Sequence, residues 1–174
     1  MMARRDRILR FTLGVLRLLL VLNIAFAAAF LIAALASLPF HNLLAARIGG
    51  KYPAIDVERA VGGVRALLLV GVVAAVPAHV IFSRLIAVLR TVLAGETFAA
   101  PNARRVRAIA WALLAIQLLD VPLLLILPSL SGTGVGVDGS SFSIGGWLSV
   151  LVAFVLARVF AEGAALREDL EGTV

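Results

Sequence analysis

Cysteine is absent from the 174 residues of this chain. Its absence excludes disulfide bonds, thiolate metal sites, cysteine nucleophiles and thioether-linked haem. Aromatic residues make up only 7% of the sequence and charged residues only 15%, so long stretches carry no charge and Leu, Ala, Val and Ile supply the apolar surface. Lysine is nearly absent as well, because Lys51 is the one basic residue that is not an arginine.

Hydrophobic residues, in contrast, make up 62% of the chain, and the mean hydropathy is +1.07. A soluble domain is usually about 45–50% apolar, and one small core could not bury the excess. Lipid is the solvent that accommodates it. The sequence therefore predicts an all-α, polytopic membrane protein without a cofactor or a metal site.

Four apolar runs are each long enough, or nearly so, to cross a hydrocarbon core of about 30 Å as a helix. They lie at about 18–40, 66–83, 108–127 and 144–160. Short connections between them predict an antiparallel four-transmembrane-helix bundle that forms one membrane domain over residues 1–174. Amphipathic helix extensions are predicted on the cytoplasmic side at 84–94 and 161–171.

The first run has a competing interpretation as a secretory signal peptide with a cleavage-like Ala34-Leu35-Ala36. The run is long for a signal peptide, and the charged stretch before it is long too, which favours a membrane span. Small residues recur in this run at every fourth position, and they predict a face for packing against another helix. They are Ala25, Ala29, Ala33 and Ser37.

The side on which the arginines lie predicts the orientation of the chain. The N-terminal segment, the connector after the second span and the C-terminal tail together carry twelve Lys and Arg, whereas the other two connectors carry four. Because basic residues stay in the cytoplasm, both termini are predicted to be cytoplasmic. The preference for arginine is typical of a GC-rich bacterium, so the location predicted is a bacterial inner membrane.

The net charge of +6 would suggest nucleic-acid binding in a soluble protein. Here most of the arginines border apolar runs, where they match anionic lipid headgroups. We therefore expect the lipid bilayer and its anionic headgroups as partners, and no direct contact with nucleic acid. The small-residue faces leave a homo-oligomer open.

Between the first two spans, residues 41–65 form a mixed-charge connector, in which Asp56 is placed to begin a helix. In the second span, Gly71 and Ala75 have the spacing of a close helix contact, and Pro77 predicts a kink. Asp120 and Pro122 predict a break in the third span.

Polar side chains inside the spans form the first candidate site. Asp120 and His79 are both predicted near mid-depth, and a carboxylate in lipid must find a partner, become protonated or face the bundle interior. Gln117 lies one helical turn from Asp120, and Asn23 is a single amide in the first span. This set could bind a proton or a cation, or it could simply hold helices together.

The basic connector from Arg84 to Arg107 forms the second candidate site. Gly95 is placed to end the helix of the second span, and Asn102 is placed as the N-cap of the next helix. Arg104, Arg105 and Arg107 follow at once and could bind anionic lipid or an acidic partner, or serve only to set topology.

Two stretches resemble the bacterial four-helix membrane family known as domain of unknown function 2975. One is Gly95-Glu96-Thr97-Phe98 followed by Asn102 and Arg104-Arg105-Val106-Arg107; the other is the tail from Val159 to Val174. The likeness covers roughly residues 60–174. The family pattern marks Gly95, Phe98, Asn102, Phe160, Gly163 and Leu166.

The resemblance implies no enzymatic activity. Family members often occur beside small helix-turn-helix regulators, which implies a membrane partner for a transcription factor. We expect Phe98 to pack against the tail that holds Phe160 and Gly163, as a cytoplasmic cap on the bundle. The sequence thus predicts a non-enzymatic inner-membrane protein that binds a cytoplasmic regulator; the alternative is a small transporter or ion-conducting protein that uses Asp120 and His79.

Overall fold

The computed structural model describes residues 2–96, 99–133 and 143–171, and in these ranges the backbone is helical and contains no strand. The helices are α1 (Met2–Ala36), α2 (His41–Lys51), α3 (Val57–Leu93), α4 (Ala100–Leu118), α5 (Asp120–Ile126) and α6 (Ile144–Glu171), with a short 3₁₀ helix at Leu127–Leu130. The predicted all-α fold is confirmed.

Within these ranges, four stretches of helix are long and apolar enough to cross a membrane, as predicted. They are Arg7–Ala36, Val57–Leu93, Ala100–Leu130 and Ile144–Arg167. The longest helix, α3, has 37 residues. At about 1.5 Å per residue it is about 55 Å long, well beyond a hydrocarbon core of about 30 Å. The predicted extensions at 84–94 and 161–171 are therefore continuations of α3 and α6 rather than separate helices.

Proline shapes the third span in the way the sequence predicts. Helix α4 ends at Leu118 and α5 begins at Asp120. The ring of Pro122 conflicts with the carbonyl of the residue four positions earlier, which is Leu118, so the regular helix stops there. Pro77, in contrast, lies inside α3, which continues past it to Leu93.

The connector between the first two spans contains a helix that the sequence analysis missed. Helix α2 includes Gly49 and Gly50, although each glycine costs about 1 kcal/mol relative to alanine in a helix. After it, the side chain of Asp56 accepts a hydrogen bond of 3.1 Å from the backbone N–H of Arg59. Asp56 is thus the N-cap of α3, in agreement with the prediction.

The chain forms two compact units. The first unit comprises Met1–Asn23, Pro77–Gln117 and Ile144–Val174, and the second comprises Ile24–Val76 and Leu118–Ser143. The prediction of one membrane domain over residues 1–174 stays a prediction.

In the first unit, α4 and α6 supply most of the buried apolar residues. These are Val106, Ile109, Ala110, Ala112, Val150, Ala153 and Ala157, joined by Ile86 of α3. The rings of Trp111 and Phe154 meet edge to face, with centroids 5.3 Å apart. The part of α1 in this unit has its less exposed positions at Leu9, Leu13, Leu16 and Leu20, a narrow stripe that leaves the rest of the helix exposed.

In the second unit, glycines on α3 allow close packing. A Cβ atom on Gly63 would lie 3.0 Å from Leu130, a residue only 1% exposed, and one on Gly71 would lie 2.5 Å from the ring of Phe30. The close approach predicted at Gly71 is thereby confirmed.

The small stripe predicted for α1 is largely not a packing face within the chain, and its packing against a second copy stays a prediction. Ala25, Ala29 and Ala33 are exposed, and only Ser37 is buried. No neighbouring helix within the described residues covers these three alanines, so they lie on the exposed surface of α1.

Candidate functional site

The connector between α3 and α4 begins with a complete helix-ending motif. Gly95 has a φ of +83°, a backbone conformation that side chains with a Cβ atom rarely adopt. Its N–H donates to the carbonyl of Val92 at 3.1 Å, and the N–H of Glu96 donates to the carbonyl of Thr91 at 2.9 Å. These two bonds form a Schellman motif, so Gly95 ends α3 as the sequence predicted.

Asn102 is fully buried at the start of α4 and connects this helix to α3. Its Nδ2 donates to the hydroxyl of Thr91 at 2.8 Å, and the same hydroxyl donates to the carbonyl of Val88 at 2.7 Å. The Nδ2 atom also lies 3.5 Å from the carbonyl oxygen of Glu96. The side chain therefore fixes the end of one helix against the start of the next.

The predicted role of Asn102 as an N-cap is wrong. Helix α4 begins at Ala100, so Asn102 lies within its first turn, and its backbone N–H donates to the carbonyl of Ala99 at 2.8 Å. An N-cap side chain bonds to the N–H groups of its own helix, whereas this amide bonds to Thr91, eleven residues earlier.

Asn102 also positions an arginine. Its Oδ1 accepts a hydrogen bond of 2.8 Å from Nη1 of Arg105, and the same Nη1 lies 3.4 Å from the carbonyl oxygen of Ala87. Hydrogen bonds to a charged group are among the stronger ones in proteins. Arg105 is thus half-buried and oriented from both helices.

Three arginines line one cavity of about 370 Å³ in the first unit. Arg84 comes from α3, and Arg104 and Arg105 come from α4; Pro101 and Ala108 complete the wall. Positions 101, 104, 105 and 108 have the spacing of one helical face, which is why α4 presents these residues together. The volume lies within the range of about 300–1,000 Å³ that is usual for small-molecule sites.

The cavity is positively charged, and no ion pair among the described residues compensates this charge. In the part of the chain that the structure describes, the ion pairs are His41–Glu58 and Arg158–Glu162, and neither involves a cavity arginine. Three guanidinium groups around one space create a positive potential that favours carboxylate or phosphate oxygens, which guanidinium binds in bidentate geometry. The arrangement is suited to binding an anion.

The structure places only two of the three predicted arginines in the cavity and adds Arg84 to them. Arg104 and Arg105 line the cavity, whereas Arg107 is exposed and lies outside its lining. Arg84 was predicted as part of the basic connector but not as one of the arginines that could bind an anion. Arg84 lies three residues before Ala87, whose carbonyl oxygen Arg105 contacts, so the two arginines are close in space. This proximity could not be predicted without knowing how α3 packs against α4.

The other residues of the predicted cytoplasmic cap lie mainly on α6. Phe160 and Gly163 are half-buried, and Leu166 is 66% exposed. Phe98 lies outside the described residues, so its packing against this tail stays a prediction.

The intramembrane polar residues fall in different parts of the chain. Asn23, Gln117 and His79 belong to the first unit and Asp120 to the second. His79 is exposed, Asn23 is half-buried, and Asp120 is half-buried in the first turn of α5. The pairing of Asp120 with His79 stays a prediction.

Gln117 lies against α6 at Gly146. A Cβ atom on Gly146 would lie 2.6 Å from the amide carbon of Gln117, so the helices approach closely because this position is glycine. Within the described residues, the Nε2 atom of Gln117 is buried without a hydrogen-bond partner.

A polar cluster in the second unit escaped the sequence analysis. Arg65 donates through Nε to the hydroxyl of Ser37 at 3.0 Å and through Nη2 to the Ser37 carbonyl at 2.5 Å. The Nη2 atom also lies 3.3 Å from Nδ1 of His41, whose Nε2 lies 3.2 Å from a carboxylate oxygen of Glu58. Ser37 is 28 residues from Arg65, and no local pattern indicates such a contact.

Comparison with known proteins identifies the family. Residues 43–174 match the family described as "Protein of unknown function (DUF2975)". The match covers more than half of the chain, which therefore belongs to this family, and the resemblance seen in the sequence is confirmed. No curated protein and no solved structure matches the chain. Among the described residues, no group of three or more His, Asp or Glu is placed to hold a metal ion.

Proposed function

We propose that this member of the DUF2975 family is a non-enzymatic regulatory protein of the bacterial inner membrane that binds an acidic cytoplasmic partner protein. The contact proposed is the arginine cavity formed by Arg84, Arg104 and Arg105. The single observation that carries the proposal is that three guanidinium groups share one cavity without an ion pair in the described part of the chain.

The local structure supports a docking role because the site is preorganised. Asn102 holds Arg105 in place, and the Schellman motif at Gly95 fixes where α3 ends. An arginine that is already oriented loses less conformational entropy when it binds, which favours affinity. The predicted orientation places this cavity in the cytoplasm, where a helix-turn-helix regulator would meet it.

Affinity purification of the tagged chain from native membranes tests the proposal. The variant Arg84→Gln/Arg104→Gln removes two cavity charges, and the matched control Arg90→Gln/Arg107→Gln removes two exposed charges that do not line the cavity. We expect the amount of co-purifying acidic protein to fall at least about tenfold in the cavity variant only, since each charge-assisted contact is worth about 1.5–3 kcal/mol.

Both double variants should reach the membrane in equal amounts, because Arg84, Arg90, Arg104 and Arg107 are all exposed. The association should also weaken with ionic strength, as expected for a contact between charged surfaces. An equal loss in both variants would mean that net charge alone attracts the partner, and no loss in either would rule out the cavity as the contact.

A further inference from the structure

A groove of about 430 Å³ lies in the second unit, between the end of α1, one face of α2 and the part of α3 around Val64 and Leu68. Its volume is in the range of about 300–1,000 Å³ that ligand sites occupy. The groove is distinct from the arginine cavity, which belongs to the first unit.

Helix α2 presents one face to this groove. Phe40, just before the helix, and Leu43, Leu44 and Arg47 within it follow the i, i+3, i+4, i+7 spacing of a single helical face. None of the residues of α2 is buried, and Phe40 and Leu43 are 60% and 59% exposed. This largely apolar face of α2 is therefore turned toward a space that the described residues leave open.

Small residues of α1 make the space. Ala33 and Ala36 line the groove from one side, and Val64 and Leu68 of α3 line it from another. Leucine at either alanine position would occupy the groove with its side chain. The small size of Ala33 and Ala36 therefore leaves the apolar groove open.

Among the described residues that line the groove, Arg47 is the only charged one. It is exposed, and the described residues provide it with neither an ion pair nor a hydrogen bond. The Ser37–Arg65–His41 cluster borders the groove, since Ser37 belongs to both. An apolar groove whose lining includes an arginine without an ion pair among the described residues complements an apolar chain that carries an anion.

We propose that this groove binds one anionic phospholipid of the bilayer, with an acyl chain between α1, α2 and α3 and the phosphate against Arg47. The helices that form the groove, α1 and α3, are candidate membrane spans, so a lipid can enter from the side. An amphipathic helix such as α2 is also the kind of element that lies at the membrane interface.

Native mass spectrometry of the purified, delipidated chain tests this proposal. Phosphatidylglycerol and phosphatidylcholine with the same acyl chains are titrated separately, and free glycerol phosphate provides an anion without a chain. We expect one tightly bound phosphatidylglycerol per chain, weaker binding of phosphatidylcholine, and no binding of glycerol phosphate.

Two variants test the two halves of the site, each with a matched control. Arg47→Gln should weaken phosphatidylglycerol binding by about tenfold or more, because one charge-assisted contact is lost, whereas Lys51→Gln on the same helix should not. Ala36→Leu should reduce binding by filling the groove, whereas Ala29→Leu on an exposed position of α1 should leave it unchanged. Arg47 is exposed, so its variant should fold normally.

Equal binding of the two lipids, or binding that Arg47→Gln does not change, would overturn the proposal. Tight binding of free glycerol phosphate would indicate a site for a soluble anion instead. A dimer lost in Ala36→Leu, with no bound lipid in the parent chain, would show that a second copy of the chain occupies the groove.

Discussion

Replacing Asn102 with alanine should destabilise the protein more than any exposed substitution in the same connector. The side chain is 0% exposed and makes two short hydrogen bonds, one to the hydroxyl of Thr91 and one from the guanidinium of Arg105, both 2.8 Å long. A neutral hydrogen bond contributes about 1 kcal/mol and one to a charged group about 1.5–3 kcal/mol. We therefore expect a loss of about 2–4 kcal/mol.

Thermal unfolding in detergent, followed by circular dichroism, measures this loss. For a chain of this size, 1 kcal/mol corresponds to roughly 2–4 °C, so the midpoint should fall by roughly 5–15 °C. The matched control is Asn42→Ala, because Asn42 is exposed on α2, and its midpoint should change by no more than a degree or so.

A double-mutant cycle with Thr91→Val separates the hydrogen bond from general packing. If the amide of Asn102 and the hydroxyl of Thr91 interact as described, the double variant should be less destabilised than the sum of the two single variants, by about 1 kcal/mol. If Asn102→Ala unfolds at the same temperature as Asn42→Ala, the Asn102 side chain neither connects α3 to α4 nor holds Arg105 in place. If the two losses simply add, the Asn102 amide and the Thr91 hydroxyl do not interact.

Two further predictions concern the second unit and the membrane interior. Gly63→Ala should destabilise the chain by about 1–3 kcal/mol, because its Cβ atom would meet Ser129 and Leu130. The control Gly62→Ala has open space around its Cβ atom and should stabilise the chain by up to about 1 kcal/mol through helix propensity. Equal midpoints of thermal unfolding for the two variants would contradict the close packing at Gly63. If the chain is instead a small transporter, proteoliposomes should show proton or cation flux that Asp120→Asn abolishes, and an absence of flux in the parent chain would exclude this alternative.

The spans were predictable from the sequence because their signal is local. A helix in lipid satisfies its own backbone hydrogen bonds, so a run of about 20 uncharged residues predicts a span whatever its neighbours are. The end of α3 at Gly95, the start of the same helix at Asp56 and the break before Asp120 depend on one or two residues each, and these predictions were confirmed. Residues 41–65 were predicted only as a mixed-charge connector, and α2 was missed within it; its two adjacent glycines weaken the local helical signal.

The candidate sites depend on contacts between residues that are distant in the chain. Asn102 is of a residue type that caps helices, and only the packing of α4 against α3 shows that it bonds to Thr91 and Arg105 instead. Arg84 and Arg104 are about twenty residues apart in sequence, and the packing of α4 against α3 brings both to one cavity.

What the sequence determined by itself is the class of protein: an all-α chain with four apolar helices and an arginine-rich connector, since hydrophobic length and charge are properties of composition and order. Only the tertiary structure decided which arginines share a cavity and which apolar residues leave a groove open. Those outcomes depend on how helices meet, and helix contacts are set by side-chain shape rather than by hydrophobicity.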